Sequence, residues 1–426
     1  MFKGYDVRGV YGAEIDENKF FLLGKALGRL GNELALGMDY RRHNETLAAA
    51  LASGFEGKTI FLGRATTPCV AFCSRKLGAS VTASHNPPEY SGMKPFRDKR
   101  CFYGEELAQL KTYYAQEENS SGGNGKNPAA AVAAPRKKIL KENADEKKEY
   151  AASLPRMEKG IYDLGGGAAC AFKKIFPKTI FSEPDPLFSK RAPEPKDETL
   201  GALKSETLKR GCIGFAFDGD ADRVVAIDKG RTIDSGALGA FYASRFLKRG
   251  DVVALTIDVS DEVCEWFANN GFKTESSAVG DINVTRKAGE SRAAFSMERS
   301  GHYAVTRHLL YSDGVYFAAA LSGTRPGEMT KFALQFKHET ANEKIAGRIN
   351  FRDLEKLFRA KNPAALETVD GIKARFDDYC VLVRASQTEP IVRVSVEAAD
   401  AKKAAKTLEA TVALARKALV QSAQSA

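Results

Sequence analysis

A chain of 426 residues is too long for one ordinary core and implies two to four domains. With 43% hydrophobic and 28% charged residues it has a globular composition, with no apolar run long enough to span a membrane and no basic-then-apolar leader, so it reads as cytoplasmic. The net charge of +10 suits nucleic acid or phosphorylated small molecules. No zinc-finger spacing, aromatic RNA-binding signature or long basic block accompanies it, however, and the seven scattered cysteines form no C-x-x-C pair, so nucleic acid and structural zinc drop back.

In chain order, Phe20, Leu23, Leu27, Leu30 and Leu34 recur at helical spacing, a second helix is expected around Leu47 to Leu51, and residues 59–63 read as a strand. This alternation marks an α/β unit, placed at residues 1–125. Near its end Leu77, Val81 and Thr82 close a short apolar element, and Pro87 and Pro88 then force a loop, which leaves Ser84 just beyond secondary structure. Residues 117–135 turn to Ser, Gly, Asn and Ala, the composition of a linker. A second α/β unit is expected over 139–228. It opens with a strand and three glycines at 161–167, and it contains the buried strand 213–217 followed by Asp218-Gly219-Asp220-Ala221-Asp222-Arg223. A third unit, 229–325, includes the apolar strand 252–257 and the tip at Glu298. Gly and Pro near 323–330 suggest another linker. In the last unit, 331–426, Val381 and Val383, then Val392, Val394 and Val396, alternate with polar residues on two strands, and Leu408, Val412, Ala415 and Leu419 form the stripe of a closing helix.

Three carboxylates within five residues repel one another unless a cation sits between them, and oxygen ligands suit a hard ion such as Mg²⁺. An EF-hand would need Gly and Glu where this chain has Arg223 and Lys229. A hydrolytic serine needs a base in reach, and His85, its sequence neighbour, is expected to point away. Arg384, Ser386 and Thr388 alternate on a hairpin tip, a guanidinium and two hydroxyls suited to one anion.

Together these stretches resemble the α-D-phosphohexomutase family, the phosphomannomutases and phosphoglucomutases. Tyr5-Asp6-Val7-Arg8-Gly9 is similar to its opening motif, Thr82 to Pro87 with Gly92-Met93-Lys94 to its phosphoserine loop, and Asp218 to Arg223 to its metal loop. Glu298-Arg299-Ser300-Gly301-His302 resembles its sugar-binding loop, and Arg384 to Pro390 its phosphate-binding loop. The resemblance implies three related α/β domains and a smaller α+β fourth around one cleft. It implies phosphoserine at Ser84 and Mg²⁺ held by Asp218, Asp220, Asp222 and Ser84, with Arg8, Lys94, Arg223 and His85 as further catalytic candidates. It also implies hexose phosphate substrates bound by Tyr5, Glu298, Ser300, His302, Arg384, Ser386, Gln387 and Thr388, and glucose 1,6-bisphosphate as activator. Ser296 and Met297 stand where family members often carry glycine. Phosphoglucosamine mutases share the Glu-x-Ser-Gly-His pattern, so the sugar stays open. Two other readings also remain open: an aspartyl-nucleophile phosphatase, which places D-x-D after a strand but normally has Thr or Val at position 222, and a non-catalytic sugar-phosphate-binding protein.

Overall fold

The computed structural model describes residues 1–121, 140–386 and 390–419. Its strands form four sheets. The first holds β1 (Val7–Val10), β2 (Glu33–Met38), β3 (Lys58–Arg64), β4 (Leu77–Val81), β5 (Tyr90–Arg97) and β6 (Arg100–Cys101), in the order β1-β5-β4-β2-β3 with β6 on β5. The second holds β7 (Ile161–Asp163), β8 (Thr179–Ile180), β9 (Gly214–Phe217), β10 (Val224–Asp228) and β11 (Arg231–Thr232). The third holds β12 (Val252–Thr256), β13 (Lys273–Ser277), β14 (Phe295–Met297) and β15 (Tyr303–Val305). The fourth holds β16 (Glu339–Ala346), β17 (Ala365–Glu367), β18 (Ile372–Arg375), β19 (Tyr379–Ala385) and β20 (Ile391–Ala398).

The first three sheets share one plan. Parallel strands that need helical crossovers give way to an antiparallel pair: β4 with β5, β9 with β10, β14 with β15. The fourth sheet is antiparallel throughout, with the helix Ala401–Lys417 on one face and a separate core of Val381, Val383, Val392, Val394, Val396 and Val412. The expected fold, α/β units with a smaller α+β unit at the end, is borne out. Val381 faces Val396 and Val383 faces Val394 in register, so the alternating valines share one face and bury it against the helix.

The structure departs from the sequence expectations at three places. The first helix runs Glu17–Gly28, capped by Asp16, and Leu34 belongs to β2: Gly31 and Asn32 break what reads as one continuous helical stripe. Residues 117–121, expected to be linker, complete the helix Gly104–Ser121, where Glu117 pairs with Lys25 and Arg29 of the first helix; the remainder of that expected linker lies outside the described residues. In the other expected linker, Glu328–Ala333 is a helix whose start is tied to Asp228 by Gly327 N and Thr330 N.

In each sheet one antiparallel pair flanks a motif loop: residues 82–89 between β4 and β5, 218–223 between β9 and β10, 298–302 between β14 and β15, and the stretch between β19 and β20, of which 387–389 lie outside the described residues.

Candidate active site

Ser84 sits three residues past the end of β4 with φ of +52°, a left-handed backbone conformation that non-glycine residues adopt only when their surroundings impose it. The surroundings here are explicit. Ser84 N donates to Thr82 Oγ1 at 2.9 Å, and Thr82 Oγ1 donates to Asp39 Oδ2 at 2.7 Å. The buried Arg41 guanidinium donates to four carbonyl oxygens of the loop: Ser84 O at 2.7 Å, Asn86 O at 2.6 Å, Pro87 O at 2.6 Å and Tyr90 O at 3.1 Å. Two prolines remove N–H donors that could have closed the loop on itself, so its carbonyls are gathered by a side chain instead.

Opposite this loop, β9 ends and the chain turns through Ala221, φ +64°, bringing Asp218, Asp220 and Asp222 together. One oxygen from each lies within 4.8 Å of the others, and all three residues are fully buried. Ser84 Oγ donates to Asp218 Oδ2 at 2.8 Å. Burial, then Asp220 and Asp222, push the Asp218 carboxyl well above its ordinary range. Asp220 Oδ1 and Asp222 Oδ1 are buried without a hydrogen-bond partner. Three convergent carboxylates with unmet acceptor capacity are a donor set that fits Mg²⁺.

The sequence offers Arg223 as the local cation, but the structure adds one from far away. Lys94 on β5 donates to Asp220 Oδ2 at 2.8 Å and to Asp222 Oδ2 at 2.6 Å. Burial works against its charge, yet Asp220 and Asp222 outweigh burial and raise its pKa, so Lys94 is an ammonium that can donate but not accept a proton. Arg8 donates to Asp6 Oδ2 at 2.5 Å and to Asn86 Oδ1 at 2.8 Å, which aims it at the Ser84 loop. His85 does not point away as expected: its Nδ1 lies 3.4 Å from Ser84 Oγ. Burial, then Arg223, Arg8 and Lys94, hold its pKa down at about 2, so the ring is neutral.

On the third tip, His302 Nδ1 contacts Glu298 Oε2 at 3.1 Å and Ser300 Oγ at 2.8 Å, so Glu298 and Ser300 converge on one ring. His302 Nε2 faces Asp222 Oδ1 at 3.3 Å as a charge partner. Burial opposes its protonation, but Asp222 and Asp281 raise its pKa to about 10. Ser84, His85, Lys94, Asp222, Arg223, Glu298 and His302 line one cavity of about 190 Å³, and Tyr5 and Arg8 close it on the β1 side. Asp218 and Asp220 are fully buried and do not line it, and Ser300 is exposed and does not line it either. Arg384 is not in this cavity. It is the penultimate residue of β19, with Nη2 3.4 Å from Asp370 Oδ2, and lines a separate cavity with Asp258 and Arg299. Ser386 N donates to Ile391 O at 2.8 Å, while Gln387 and Thr388 lie outside the described residues.

Several residues of the site escaped the sequence reading. Asp39 and Arg41 organise the Ser84 loop, Thr67 Oγ1 donates to Asp220 Oδ2 at 2.7 Å, and Tyr311 OH donates to Asp222 Oδ2 at 2.5 Å. Asp281, in the cavity wall, joins Asp222 and His302 in a second cluster. Only the first pair carried a signal: Asp39-Tyr40-Arg41 places opposite charges directly after a buried strand.

Family models of the phosphoglucomutase/phosphomannomutase type match this chain in three places: alpha/beta/alpha domain I at residues 1–120, alpha/beta/alpha domain III at 234–324, and the C-terminal domain at 340–414. The chain belongs to the phosphoglucomutase/phosphomannomutase family, the α-D-phosphohexomutases. It is therefore an enzyme of the phosphohexomutase class. It is 27% identical to a phosphomannomutase of Methanocaldococcus jannaschii, over 94% of each chain. It is 28% identical to a phosphoglucosamine mutase of Thermotoga neapolitana, over 92% of this chain and 94% of that relative. A solved phosphoglucomutase/phosphomannomutase family protein of Burkholderia thailandensis shares the fold with a TM-score of 0.82 at 22% identity, over 98% of each chain. No helix among the described residues is long and apolar enough to cross a membrane.

Proposed function

We propose that this phosphohexomutase moves a phosphoryl group between the 1- and 6-positions of a hexose phosphate, through phosphoserine at Ser84 and a hexose 1,6-bisphosphate. The observation that carries this reading is the Ser84 hydroxyl on Asp218, in a carboxylate triad at the floor of a cavity whose walls supply Arg8, Lys94, Arg223 and His302. A phosphorylated Ser84 is a dianion that needs those cations. In the forward half-reaction the bond between phosphorus and Ser84 Oγ breaks as a bond to the sugar hydroxyl oxygen forms, and the hydroxyl proton ends on Ser84 Oγ. Lys94 and His302, held protonated, stabilise the charge of the phosphoryl group, and Glu298 with Ser300 accepts from sugar hydroxyls. Arg384 anchors the phosphate that does not react. The bisphosphate then exchanges its ends and returns its other phosphate to Ser84. Walls drawn from several sheets exclude the water that would otherwise hydrolyse phosphoserine.

Asp218, Asp220 and Asp222, with the Ser84 oxygen, would hold Mg²⁺, which when bound supplies charge neutralisation for phosphoryl transfer. Because the bisphosphate must loosen to turn over, added glucose 1,6-bisphosphate should restart enzyme that has lost its phosphoryl group. Mannose, glucose and glucosamine phosphates are all candidate substrates, since relatives of like similarity carry both phosphomannomutase and phosphoglucosamine mutase names.

The test follows labelled phosphate from Ser84. Intact mass should show one phosphatase-removable phosphoryl group, and the label should pass into hexose bisphosphate and monophosphate. Label released mainly as free phosphate would make the protein a phosphatase instead. Initial rates with the 1-phosphates of mannose, glucose and glucosamine then rank the sugars.

A further inference from the structure

Phe188 is a buried ring in an exposed stretch. Its neighbour Leu187 is 57% exposed and Phe188 only 6%, yet among the described residues it joins none of the apolar clusters that form the cores. The ring packs instead on the back of the two loops that meet at Ser84 and Asp218. Its centre lies 5.0 Å from the Arg41 guanidinium, and its Cζ is 3.5 Å from the point where a Gly219 Cβ would stand, the same point that Ser84 O approaches to 2.3 Å.

The backbone is strained to put it there. Phe188 has φ of +50°, an outlier for a bulky residue, and such strain persists only where the surroundings over-determine it. Those surroundings come from the second unit. Asp185 Oδ1 accepts from Leu187 N at 3.2 Å, its Oδ2 accepts from Ser189 Oγ at 2.8 Å and Lys190 N at 3.1 Å, and its carbonyl accepts from Phe188 N at 3.0 Å. One end of this turn is tied to the glycines after β7, where Asp185 N donates to Gly166 O at 3.0 Å. The other end is tied to the strand that carries the acids: the buried Arg191 donates to Asp163 Oδ1 at 2.9 Å and to the carbonyl of Phe217, the residue before Asp218.

An aromatic face attracts a guanidinium, and here it also keeps water from the fork with which Arg41 gathers Ser84 O, Asn86 O and Pro87 O. Without the ring, water would compete for those carbonyls and a void would open between the Ser84 loop and Gly219. We propose that Phe188 is a positioning residue for phosphoryl transfer, a wedge from the second unit that seats the Ser84 loop on the 218–223 loop and so holds Ser84 Oγ in place. The ring does not line the Ser84 cavity, so it acts on the serine and not on the sugar. The proposal rests on the reading of Ser84 as the phosphoryl carrier.

The test uses the full chain, with Tm, initial rates on a hexose 1-phosphate, and hydrogen exchange of the segment 82–90. Phe188→Ala should lower kcat about ten- to hundredfold, the range for a small misplacement of a reacting group by a remote change, with KM within about twofold. Exchange across 82–90 should quicken. Phe188→Gly also lacks the ring but relieves the left-handed backbone, so it should be the more stable of the two and no more active. Phe188→Leu restores apolar bulk on Arg41 without relieving the backbone, and should recover part of kcat. A merely structural role predicts the opposite, with kcat following Tm across the series. If Ser84→Ala is inactive while the three Phe188 variants keep wild-type kcat, or while their kcat follows Tm, the wedge is wrong and the carrier stands. If Ser84→Ala turns over at the wild-type rate, the carrier reading falls and the wedge falls with it.

Discussion

Ser84 Oγ donates to Asp218 Oδ2 at 2.8 Å across 134 residues of sequence, joining the tip of the first sheet to the tip of the second. The contact couples two events. A phosphoryl group placed on Ser84 enters a space bounded by a carboxylate that burial and two neighbouring carboxylates already disfavour as an anion. Binding a cation between the acids and loading the serine should therefore reinforce each other, and the first prediction follows from that coupling.

Chelating divalent metal should abolish mutase turnover, and Asp220→Asn should act like chelation. Asp220 offers one oxygen to Thr67 and Lys94 and keeps Oδ1 buried without a partner, so the amide removes charge without changing shape. The loss of apparent Mg²⁺ affinity should be at least the roughly 10–100-fold typical of residues that merely support a metal ligand. Activity titrated against Mg²⁺ measures it. Full turnover by Asp220→Asn in chelated buffer would remove the triad from the mechanism.

Gly219 separates the first two carboxylates and has no room for a side chain: a Cβ there would lie 2.3 Å from the Ser84 carbonyl oxygen. Gly219→Ala should push the two tips apart, lengthening the contact between Ser84 and Asp218. Overpacking of this kind costs about 1–3 kcal/mol of stability, so the fold should survive while kcat falls steeply. Denaturant unfolding alongside initial rates separates the two effects. Wild-type kcat would mean that the close approach of the tips does not matter.

Arg41 holds four loop carbonyls with one guanidinium and lies 3.3 Å from Asp39. Removing it leaves a buried carboxylate and several buried carbonyls unpaired, a loss of about 3–5 kcal/mol. Arg41→Met should lower Tm and loosen the left-handed turn at Ser84. Arg41→Lys keeps the charge but not the fork, and should regain stability better than activity. Equal recovery of both would show that charge alone sets the loop.

Much of this arrangement is legible in the sequence because its signals are local. The valines of β19 and β20 alternate, Pro87 and Pro88 force a loop, and the close spacing of Asp218, Asp220 and Asp222 already brings three carboxylates together. What is not legible depends on partners that leave no mark in the sequence. Arg41 acts on backbone carbonyls 43 to 49 residues away, and a carbonyl acceptor looks the same at every position. Lys94 finds Asp220 and Asp222 126 and 128 residues away only because β5 and the 218–223 tip face each other. The break between Leu27 and Leu34 is hidden for a different reason: Leu30, just past the helix end, and Leu34, inside β2, happen to keep helical spacing.

His85 and His302 make opposite predictions for the pH dependence of stability in metal-free protein. His302 is raised to about 10, so between its ordinary 6.5 and 10 the folded state holds a proton that the unfolded state has released. That stabilisation is fully present below 6.5 and is lost as pH rises through 10. His85 is lowered to about 2, so between 2 and 6.5 the unfolded state holds the extra proton, and stability falls as pH drops through that window. Together the two histidines favour a maximum near pH 6.5, with limbs no steeper than about 1.4 kcal/mol per pH unit from each group. Denaturant unfolding in chelated buffer from pH 4 to pH 9 would trace both limbs. His302→Gln should flatten the alkaline limb and leave the acid limb, and His85→Gln should do the reverse. Alkaline limbs of equal slope in wild type and His302→Gln would show that the ring beside Asp222 is not held protonated.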